Sequence, residues 1–500
     1  MNLLGIDAGT SGCKAVIFAE DGRQLAAAYQ EYDTERPRPG WAELDTPRVW
    51  AQVQETIRAV LRGGAGPVGA LCVSSLGEAV VPVSADRKIL GPSLLNFDAR
   101  GAEFVEAVRA RISTPELYAV NGNPPGNHYS LTKLLWLQKY QPALYARADL
   151  FLHWSGFIAF MLGAEARVDA TLANRTLLFD LERQDWSPDL PERFGVERSK
   201  LPPVTPAGTV IGQVSRAAAA DLGLPAGIPI VAGGHDQCCT ALGCGVVAPG
   251  QAMYGMGTYI CMVPVFARRP DAAAMIAAGL NTEHHVAPGQ YVSFIYNQGG
   301  ALVKWFRDTF AAEERKTASL NLYPALMDEM PARPSRVMAL PHFTATGPPE
   351  FIDDSCGLLA GLQLDTARGE ILKGLIEGAT FYMRACLEDL PAGMEISDFY
   401  AAGGGSKSDA WLQVSADILG RPFQRPAVSE AGALGAAILA GAGCGVFASA
   451  AEGARRMVQP GQTFEPDPAM QRRYAGRYDL YRRLQPLLRD YLRDLARPPS

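Results

Sequence analysis

The stretch IPIVAGGHDQCCTALGCG, residues 228–245, lies near the middle of the 500-residue chain and decides how the rest is interpreted. Residues 228–231 form a short apolar run after a Pro-Ala-Gly turn, a pattern typical of a buried strand. Gly233 and Gly234 allow a sharp turn, and Asp236 follows at the predicted start of a helix, where free backbone N–H groups favour an anion. A carboxylate there can accept a proton from a substrate hydroxyl, or it can simply cap the helix.

The composition predicts a large globular protein without a polyanionic partner. Lys and Arg number 46 against 52 Asp and Glu, so the net charge is −6, and no long basic block occurs. Binding of nucleic acid or of an anionic membrane is therefore not expected. The length and the 48% hydrophobic content indicate two or three domains. Nine scattered cysteines without CxxC spacing favour reduced thiols in a cytoplasmic protein over disulfides or zinc, and His284-His285 is interpreted as a loop pair.

The sequence predicts neither a signal peptide nor a transmembrane helix. The N-terminal sequence MNLLGIDAGT predicts a strand directly, without a charged region or a cleavage site, so we expect no signal peptide. Residues 432–451 carry no charge but hold five glycines and few large apolar side chains. They predict a buried helix that ends in a glycine-rich turn, and we expect a soluble protein.

Alternating strand and helix patterns predict an α/β fold that starts twice. Residues 3–18 predict a strand, a tight glycine turn and a second strand, and a third strand through Tyr29 completes an antiparallel meander. A second strand pair is predicted over 252–266. Helices are predicted at 46–61 with Thr46 as its cap, 131–138, 151–162, 300–310, 368–387, 411–419, 432–440 and 470–495, the last one interrupted near Pro486.

Two familiar nucleotide-binding signatures are excluded. GAGPVG at 64–69 matches GxGxxG formally, but it lies between a predicted helix and a predicted strand, the reverse of a dinucleotide site. No GxxxxGK[ST] sequence occurs, so a P-loop is excluded.

Two turns of matching design stand between predicted strands, about half a chain length apart. Asp-Ala-Gly-Thr-Ser occupies 7–11 and Gly-Met-Gly-Thr-Tyr occupies 255–259. Glycines in such turns let backbone N–H groups face an anion, and a threonine hydroxyl adds a donor. Two facing turns could hold a polyphosphate between two domains, and Asp7 could orient a hydrated Mg²⁺. Three glycines at 403–405, after a strand and before a helix, allow close approach to a flat or phosphorylated ligand.

These segments together resemble the FGGY family of carbohydrate kinases, which belongs to the actin-like ATPase superfold. The resemblance follows the family's order over nearly the whole chain. It comprises IDAGTSGCKAV, TKLLWLQK, residues 177–187, GLPAGIPIVAGGHDQ, the GMGT turn, residues 376–384 and AGGGSKSDAWLQVSADILGRP. The GGHDQ and AGGGSKSD segments are the specific ones, because the opening turn is shared across the superfold.

The resemblance implies a fold and a division of labour. Two actin-like ATPase (ribonuclease H-like) domains, each a mixed sheet flanked by helices, would face each other across a cleft. Residues 1–245 would bind the sugar and residues 246–500 would bind ATP. Domain closure would exclude water from the cleft.

The resemblance also assigns site residues, with ATP and Mg²⁺ as cofactors. Asp236 would be the catalytic base that takes the proton from the attacking hydroxyl. Asp7 would orient Mg²⁺ through water, since Mg²⁺ usually keeps several of its water ligands. The ATP-binding candidates are Gly9, Thr10, Ser11, Lys14, Gly257, Thr258, Gly403, Gly404, Gly405 and Lys407.

The candidate substrate-binding residues are Glu78, Asp98, His128, Asp236 and Gln237. Glycerol kinases carry an Arg-Glu pair where this chain has Gly77-Glu78, and xylulokinases carry a Met-His pair. Many family members have Trp-Asn-Asp at 96–98, where Asn96 replaces the Trp. A pocket rich in hydrogen-bond acceptors suits a neutral polyhydroxylated substrate.

We therefore predict an ATP-dependent kinase of a small sugar, with a ketopentose such as xylulose or ribulose favoured. A glycerol- or tetritol-type polyol kinase is the alternative, supported by Glu78 and opposed by the missing neighbouring Arg. A non-catalytic, sugar-responsive regulator would be expected to lose the central carboxylate or a phosphate turn, and an actin-like filament or chaperone ATPase would not need the GGHDQ segment. A homodimer is one assembly compatible with a soluble enzyme.

Overall fold

The computed structural model describes residues 1–317, 321–344, 347–350, 352 and 354–496. These residues form two large mixed β-sheets flanked by helices, together with five two-stranded sheets. The predicted α/β fold class is confirmed. Each sheet begins with one of the two predicted strand pairs, over 3–18 and 252–266.

The strands, numbered along the chain, are β1 Asn2–Ala8, β2 Gly12–Phe18, β3 Gln24–Glu31, β4 Glu43–Leu44, β5 Val68–Ser75, β6 Val80–Val83, β7 Ser93–Leu94, β8 Leu150–His153, β9 Val168–Asp169, β10 Phe179–Asp180, β11 Asp185–Trp186, β12 Val204–Thr205, β13 Val210–Gln213, β14 Pro229–Val231, β15 Gln251–Met256, β16 Tyr259–Phe266, β17 Glu283–His284, β18 Tyr291–Val292, β19 Ile295–Gln298, β20 Met338–Leu340, β21 Leu358–Ala360, β22 Asp398–Ala402, β23 Phe423–Arg425 and β24 Gln462–Phe464.

The helices are α1 Thr46–Arg62, α2 Val105–Arg111, α3 Thr114–Asn121, α4 Ser130–Tyr140, α5 Pro142–Arg147, α6 Trp154–Leu162, α7 Ala170–Asn174, α8 Leu190–Phe194, α9 Arg216–Leu222, α10 Asp236–Gly243, α11 Ala272–Ala277, α12 Gly300–Phe310, α13 Ala312–Thr317, α14 Tyr323–Asp328, α15 Arg368–Glu388, α16 Asp409–Leu419, α17 Ala431–Gly443, α18 Ala450–Met457 and α19 Pro468–Ala496, with 3₁₀ turns at Ala102–Phe104, Arg198–Lys200 and Gly404–Lys407.

The first sheet has six strands in the order β13-β14-β5-β1-β2-β3. β1 pairs antiparallel with β2, and β2 pairs antiparallel with β3, so the predicted meander is confirmed. β5 pairs parallel with β1 on one side and with β14 on the other. The carboxyl ends of these three parallel strands therefore meet at one edge of the sheet, which is where ligands bind in such folds.

The second sheet repeats this arrangement. Its strand order is β17-β18-β16-β15-β22-β23-β24, and β19 also pairs with β16. β15 pairs antiparallel with β16 and parallel with β22, as β1 does with β2 and β5. In each sheet, the tight turn of the first hairpin therefore lies at the edge where the neighbouring parallel strand ends.

Helix α17 belongs to the second half of the sequence but packs on elements of the first. A Cβ atom on Gly5 of β1 would lie 1.8 Å from the Ala433 carbonyl oxygen, and one on Gly435 would lie 1.9 Å from the Cys239 carbonyl oxygen of α10. These glycines let the backbones approach closely, because a side chain would not fit. The buried apolar cluster around α17 draws residues from both sheets. The domain boundary at residue 245 stays a prediction.

Two helix predictions are corrected at their ends. The N-cap of α1 is Asp45, whose carboxylate accepts a 3.1 Å bond from the Arg48 backbone N–H, whereas Thr46 is the first helical residue. Helix α19 runs through Pro486 without interruption. Buried Tyr474 and Tyr481 hold that helix against α15, and packing of this kind outweighs the one backbone bond that proline removes.

Two further predictions placed residues in the wrong kind of element. Residues 151–162 are a strand followed by a helix, because β8 pairs with β6 before α6 begins. A continuous apolar run is compatible with either element, so periodicity alone could not separate them. His284 lies in β17 rather than in a loop, and both His284 and His285 are buried.

Among the described residues, no helix is both long and apolar enough to cross a bilayer. The uncharged stretch 432–451 forms most of the buried helix α17, a short turn and the start of α18, as its glycines predicted.

Candidate active site

Asp236 begins α10 directly after a tight approach to the first sheet. A Cβ on Gly233 would lie 1.8 Å from the Val73 carbonyl oxygen, so only glycine lets the chain pass β5 here. His235 occupies the N-cap position, and its backbone N–H donates to the Thr171 hydroxyl at 2.8 Å. Asp236 is thus the first helical residue and not the cap, and its side chain is 23% exposed. Its carboxylate remains available for chemistry.

The surroundings of Asp236 favour a proton on its carboxyl group. Burial, followed by the negative charge of Asp7, raises its pKa to about 8, and a hydrogen bond from Gln237 opposes the change. The Gln237 amide lies 3.1 Å from Oδ1, and His235 Nε2 lies 3.4 Å from the same oxygen. Burial lowers the pKa of His235 well below its usual range, so the imidazole is neutral. A carboxylate with this pKa can take up and release a proton near neutral pH.

Asp7 lies near the end of β1, close to the first turn of α17. The Ser74 hydroxyl donates to its Oδ1 at 2.9 Å. Burial raises the pKa of Asp7 and the Lys14 charge lowers it. A Cβ on Gly432 would lie 2.4 Å from Asp7 Oδ2, so this position in α17 must be glycine if the carboxylate is to stay where it is. The positive end of α17 therefore faces an acidic site.

The first Gly-Thr turn connects β1 to β2 beside these carboxylates. The Gly9 N–H donates to the Gly12 carbonyl at 2.9 Å, and the Tyr32 hydroxyl donates to the Gly9 carbonyl at 2.6 Å. Thr10 is half-buried and Ser11 is exposed at the tip of the turn. The turn is held rigidly and keeps its tip accessible, as a phosphate-binding turn requires.

Lys14 supplies a cation next to this turn. It lies opposite Asp7 in the β1–β2 pairing, and its Nζ lies 2.6 Å from Glu430 Oε2 at the start of α17. Its side chain is 42% exposed. Binding of phosphate by Lys14, Gly9, Thr10 and Ser11 stays a prediction.

The second Gly-Thr turn and the glycine triplet lie against each other. β15 and β22 pair in parallel up to Gly255 and Ala402, so both loops leave the sheet at the same edge. Gly403 has φ +83°, and a Cβ on it would lie 3.0 Å from the Met256 carbonyl carbon. A Cβ on Gly405 would lie 2.9 Å from the Met256 Cβ. The structure therefore brings together two motifs that lie far apart in the sequence.

A cavity of about 490 Å³ opens beside the triplet. Its walls include Ala402, Lys407, Arg425, Val428 and Gln462. Gly257, Thr258 and Lys407 are exposed, as ligand-facing groups of an open site should be. Asp409 also lines the cavity and pairs with Arg425 at 2.7 Å, so Lys407 and an Arg425–Asp409 ion pair are its charged groups.

Glu78 lies on the first half of the chain in a buried ion pair. Its backbone has φ +57°, which is rare for a residue with a side chain. The Arg175 Nε donates to its Oε1 at 2.7 Å, and Arg175 also contacts Glu283 of the second half. The Asn96 amide lies 3.4 Å from the other oxygen, Oε2. The charge of Glu78 contributes to the raised pKa of Asp236, so the two carboxyl groups share one region.

Asp98 and His128 have different surroundings. Asp98 is fully buried, and its two oxygens accept bonds from the Ala42 backbone N–H at 2.6 Å and from Arg100 Nε at 2.9 and 3.0 Å. The half-buried His128 ring packs 4.0 Å from that of Tyr129. Burial, then the Arg175 charge, lowers the pKa of His128 to about 3. Substrate contacts by Asp98, His128 and Gln237 stay predictions.

Several residues of this region carry no signal in the sequence. Arg175, Glu283 and Ser74 enter the site through long-range contacts, and no local pattern marks them. Gly432 and Glu430 stand at the start of a glycine-rich helix that the sequence suggested only as buried.

A divalent cation fits the acidic edge. The charge of Asp7 raises the pKa of Asp236, so a nearby cation would offset the negative charge of this region. In the described part of the chain, no three His, Cys, Asp or Glu side chains form a metal-binding group. Mg²⁺ suits such a site because it takes one or two carboxylates and fills its remaining positions with water and phosphate oxygens.

Comparisons with known proteins agree with this geometry. The N-terminal and C-terminal domain models of the FGGY family of carbohydrate kinases match residues 2–243 and 252–444. Autoinducer-2 kinase of Escherichia coli (strain K12) is 32% identical over 95% of this chain and 92% of that protein. Xylulose kinase of Rhodospirillum rubrum is 27% identical with a TM-score of 0.86, covering 98% of this chain and all of its own. Ligand-bound xylulose kinase of Lactobacillus acidophilus shares the fold at 21% identity, with a TM-score of 0.88 over 99% of both chains.

Proposed function

The chain belongs to the FGGY family of carbohydrate kinases, and from that premise we propose that it transfers the γ-phosphate of ATP to a hydroxyl of a small sugar, with Asp236 as the general base. The observation that supports this most strongly is the placement of Asp236. Asp236 is the first residue of α10, on the same side of the site as the first Gly-Thr turn. Its carboxylate is partly exposed, and burial raises its pKa to about 8.

In the proposed reaction, Asp236 accepts the proton of the substrate hydroxyl. The hydroxyl oxygen forms a bond to the γ-phosphorus as the bond from that phosphorus to the β,γ-bridging oxygen breaks, and ADP leaves. His235 stays neutral, so it does not form an ion pair with the Asp236 carboxylate. A base of this pKa holds the proton tightly enough to favour transfer and still releases it to solvent.

The phosphates would lie between the two Gly-Thr turns. The hydroxyls of Thr10 and Thr258 and the Lys14 cation suit the oxygens of a polyphosphate. Gly9 and Gly257 donate their N–H groups within their own turns, and their lack of a side chain would let the phosphates approach closely. Asp7 would orient Mg²⁺ through water, and the ion would neutralise phosphate charge when bound. The nucleoside would occupy the cavity beside Gly403–Gly405 and Lys407, where glycines allow a flat ring to approach the backbone.

The substrate we favour is a ketopentose such as xylulose or ribulose. Glu78, Gln237 and Asn96 provide amide and carboxylate groups for several hydroxyls of an uncharged ligand. Autoinducer-2 is the second candidate, because the autoinducer-2 kinase of Escherichia coli is 32% identical over 95% of this chain.

A coupled assay of ADP release tests the proposal. The purified protein is incubated with Mg²⁺ and ATP and, in turn, with D-xylulose, D-ribulose, autoinducer-2, erythritol or glycerol. We expect a ketopentose to raise ADP release ~100-fold or more over ATP alone, since closure over the sugar completes the site. Stimulation by autoinducer-2 alone would shift the substrate to the second candidate. No stimulation by any compound would contradict the kinase proposal.

Two further expectations belong with this proposal. The nine cysteines are all free thiols, which suits a reducing cytoplasmic location. A homodimer and the lack of a nucleic-acid partner stay predictions, and size-exclusion chromatography with light scattering would test the first of them.

A further inference from the structure

A buried ion triad joins the two halves of the protein beside the proposed sugar site. Arg175 follows helix α7, and its guanidinium contacts Glu78 of the first half and Glu283 of the second. The three side chains are 7%, 5% and 0% exposed. Buried charges of this kind are costly unless they are paired, and here both carboxylates contact the same guanidinium.

The guanidinium is also held by aromatic rings. Its central carbon lies 4.9 Å from the Tyr129 ring centre and 5.5 Å from that of Phe294. The Phe294 ring packs edge-on against His235 at 5.1 Å. Arg175 is therefore fixed in position by contacts that lead directly to the residue before the proposed base.

Helix α7 connects the base to Glu78. At one end, the Thr171 hydroxyl accepts the backbone N–H of His235 at 2.8 Å, and Asp169 holds Thr171 through bonds of 2.6 and 2.8 Å. At the other end, Arg175 binds the Glu78 carboxylate. Helix α7 therefore contacts both segments, which also meet directly where Ser75 forms a parallel bridge with His235.

The two carboxylate oxygens of Glu78 are held differently: Oε1 is bound tightly and Oε2 only weakly. Both Nε and Nη2 of Arg175 bind Oε1, whereas the Asn96 amide lies at a long 3.4 Å from Oε2. The left-handed backbone of Glu78 is strained, and such strain persists where the surroundings over-determine a functional conformation.

We propose that Arg175 is a positioning residue for sugar binding, which fixes Glu78 so that Oε2 accepts a hydrogen bond from a substrate hydroxyl, and that Glu283 anchors Arg175 from the second half. The inference rests on the proposed function. Because Glu283 comes from β17 of the second sheet, the orientation of the sugar-binding carboxylate depends on the contact between the two halves.

A double-mutant cycle tests whether Arg175 acts through Glu78. Arg175→Lys keeps the charge but cannot bind Oε1 with two donors while reaching Glu283. We expect Arg175→Lys to raise the KM for D-xylulose or D-ribulose ~10-fold or more, with kcat and the KM for ATP changed less than about threefold, since a binding contact is lost. In the Glu78→Gln background the same change should add little.

Additive effects in the cycle, or a loss in kcat and KM for both substrates together, would contradict the proposal and leave the triad a structural role. Glu283→Gln, which is nearly isosteric, provides a second variant if Arg175→Lys does not fold; it should raise the sugar KM ~3-fold, again only when Glu78 is present. An unchanged sugar KM in folded Glu283→Gln would overturn the anchoring role.

A matched control separates this role from general loss of an ion pair. Arg336 pairs with buried Glu370 far along the chain, and Arg336→Lys should lower the melting temperature without changing the sugar KM. Turnover by the wild-type protein tests the proposed function separately. If no sugar in the panel is turned over, the kinase proposal fails and the role of Arg175 fails with it; if turnover is normal, the cycle alone decides about Arg175.

Discussion

Asp236 carries its charge at a cost to folding stability, and this cost is what makes it useful as a base. Burial and the charge of Asp7 raise its pKa from 3.8 to about 8 in the folded protein. The sequence identified Asp236 as a candidate from a strand, two glycines and a helix start. It could not reveal the pKa, because burial and the approach of Asp7 and Glu78 depend on contacts between distant segments. Arg175 was missed for the same reason.

The pKa predicts how stability varies with pH. Since the folded pKa lies above the unfolded value, the native protein keeps a proton between about pH 4 and pH 8 that the unfolded chain has lost, so stability falls as pH rises through that window. Asp236→Asn cannot ionise. We expect it to melt about 2–5 °C above wild type at pH 8, with the gap closing toward pH 4, by calorimetry.

Asp21→Asn, on an exposed turn, is the control and should show the same difference from wild type at both pH values. A lower melting temperature for Asp236→Asn at pH 8 than for wild type would show that the carboxylate is stabilising and that its pKa is not raised.

At the scale of elements, the loops at the edge of the second sheet show why the glycine triplet is needed. The sequence predicted the β15–β16 hairpin, the triplet and helix α16, since glycines and apolar spacing are local signals. The contact of the triplet with Met256 was not predictable, because it depends on the parallel pairing of β15 with β22. Gly403 lies against Met256 and has a left-handed backbone. A Cβ on Gly404, in contrast, would have no neighbour within 4 Å.

Two matched alanine variants test this difference. Gly403→Ala should raise the KM for ATP ~10-fold or more, because the methyl group is strained at positive φ and presses on the Met256–Gly257 turn. Gly476→Ala, on helix α19, is the control: as at Gly404, an added Cβ would have no neighbour within 4 Å, and the position lies outside the candidate ATP site, so the same constant should change less than about threefold. The KM for the sugar should stay close to wild type in both. Equal effects of the two substitutions on ATP binding would contradict the proposed contact between triplet and turn.

At the scale of the whole molecule, the protein is a two-domain α/β kinase of the actin-like fold whose sheets repeat one strand arrangement. The two Gly-Thr turns indicated that repeat in the sequence, since each lies in the first hairpin of a sheet. What the sequence did not reveal is how the halves are joined. Helix α17 returns from the second half to pack on β1 and α10, and the Glu78–Arg175–Glu283 triad bridges the halves near the sugar site.

The central claim is that Asp236 takes the proton from the sugar, and one variant tests it most directly. Turnover of Asp236→Asn is measured as ADP release with saturating Mg²⁺–ATP and the best sugar of the panel, and ATP affinity is measured by isothermal titration. We predict that turnover falls by ~10²–10⁴, the usual contribution of a positioned base, while ATP affinity stays within about threefold of wild type. Turnover within about tenfold of wild type, with ATP still bound, would show that Asp236 is not the base.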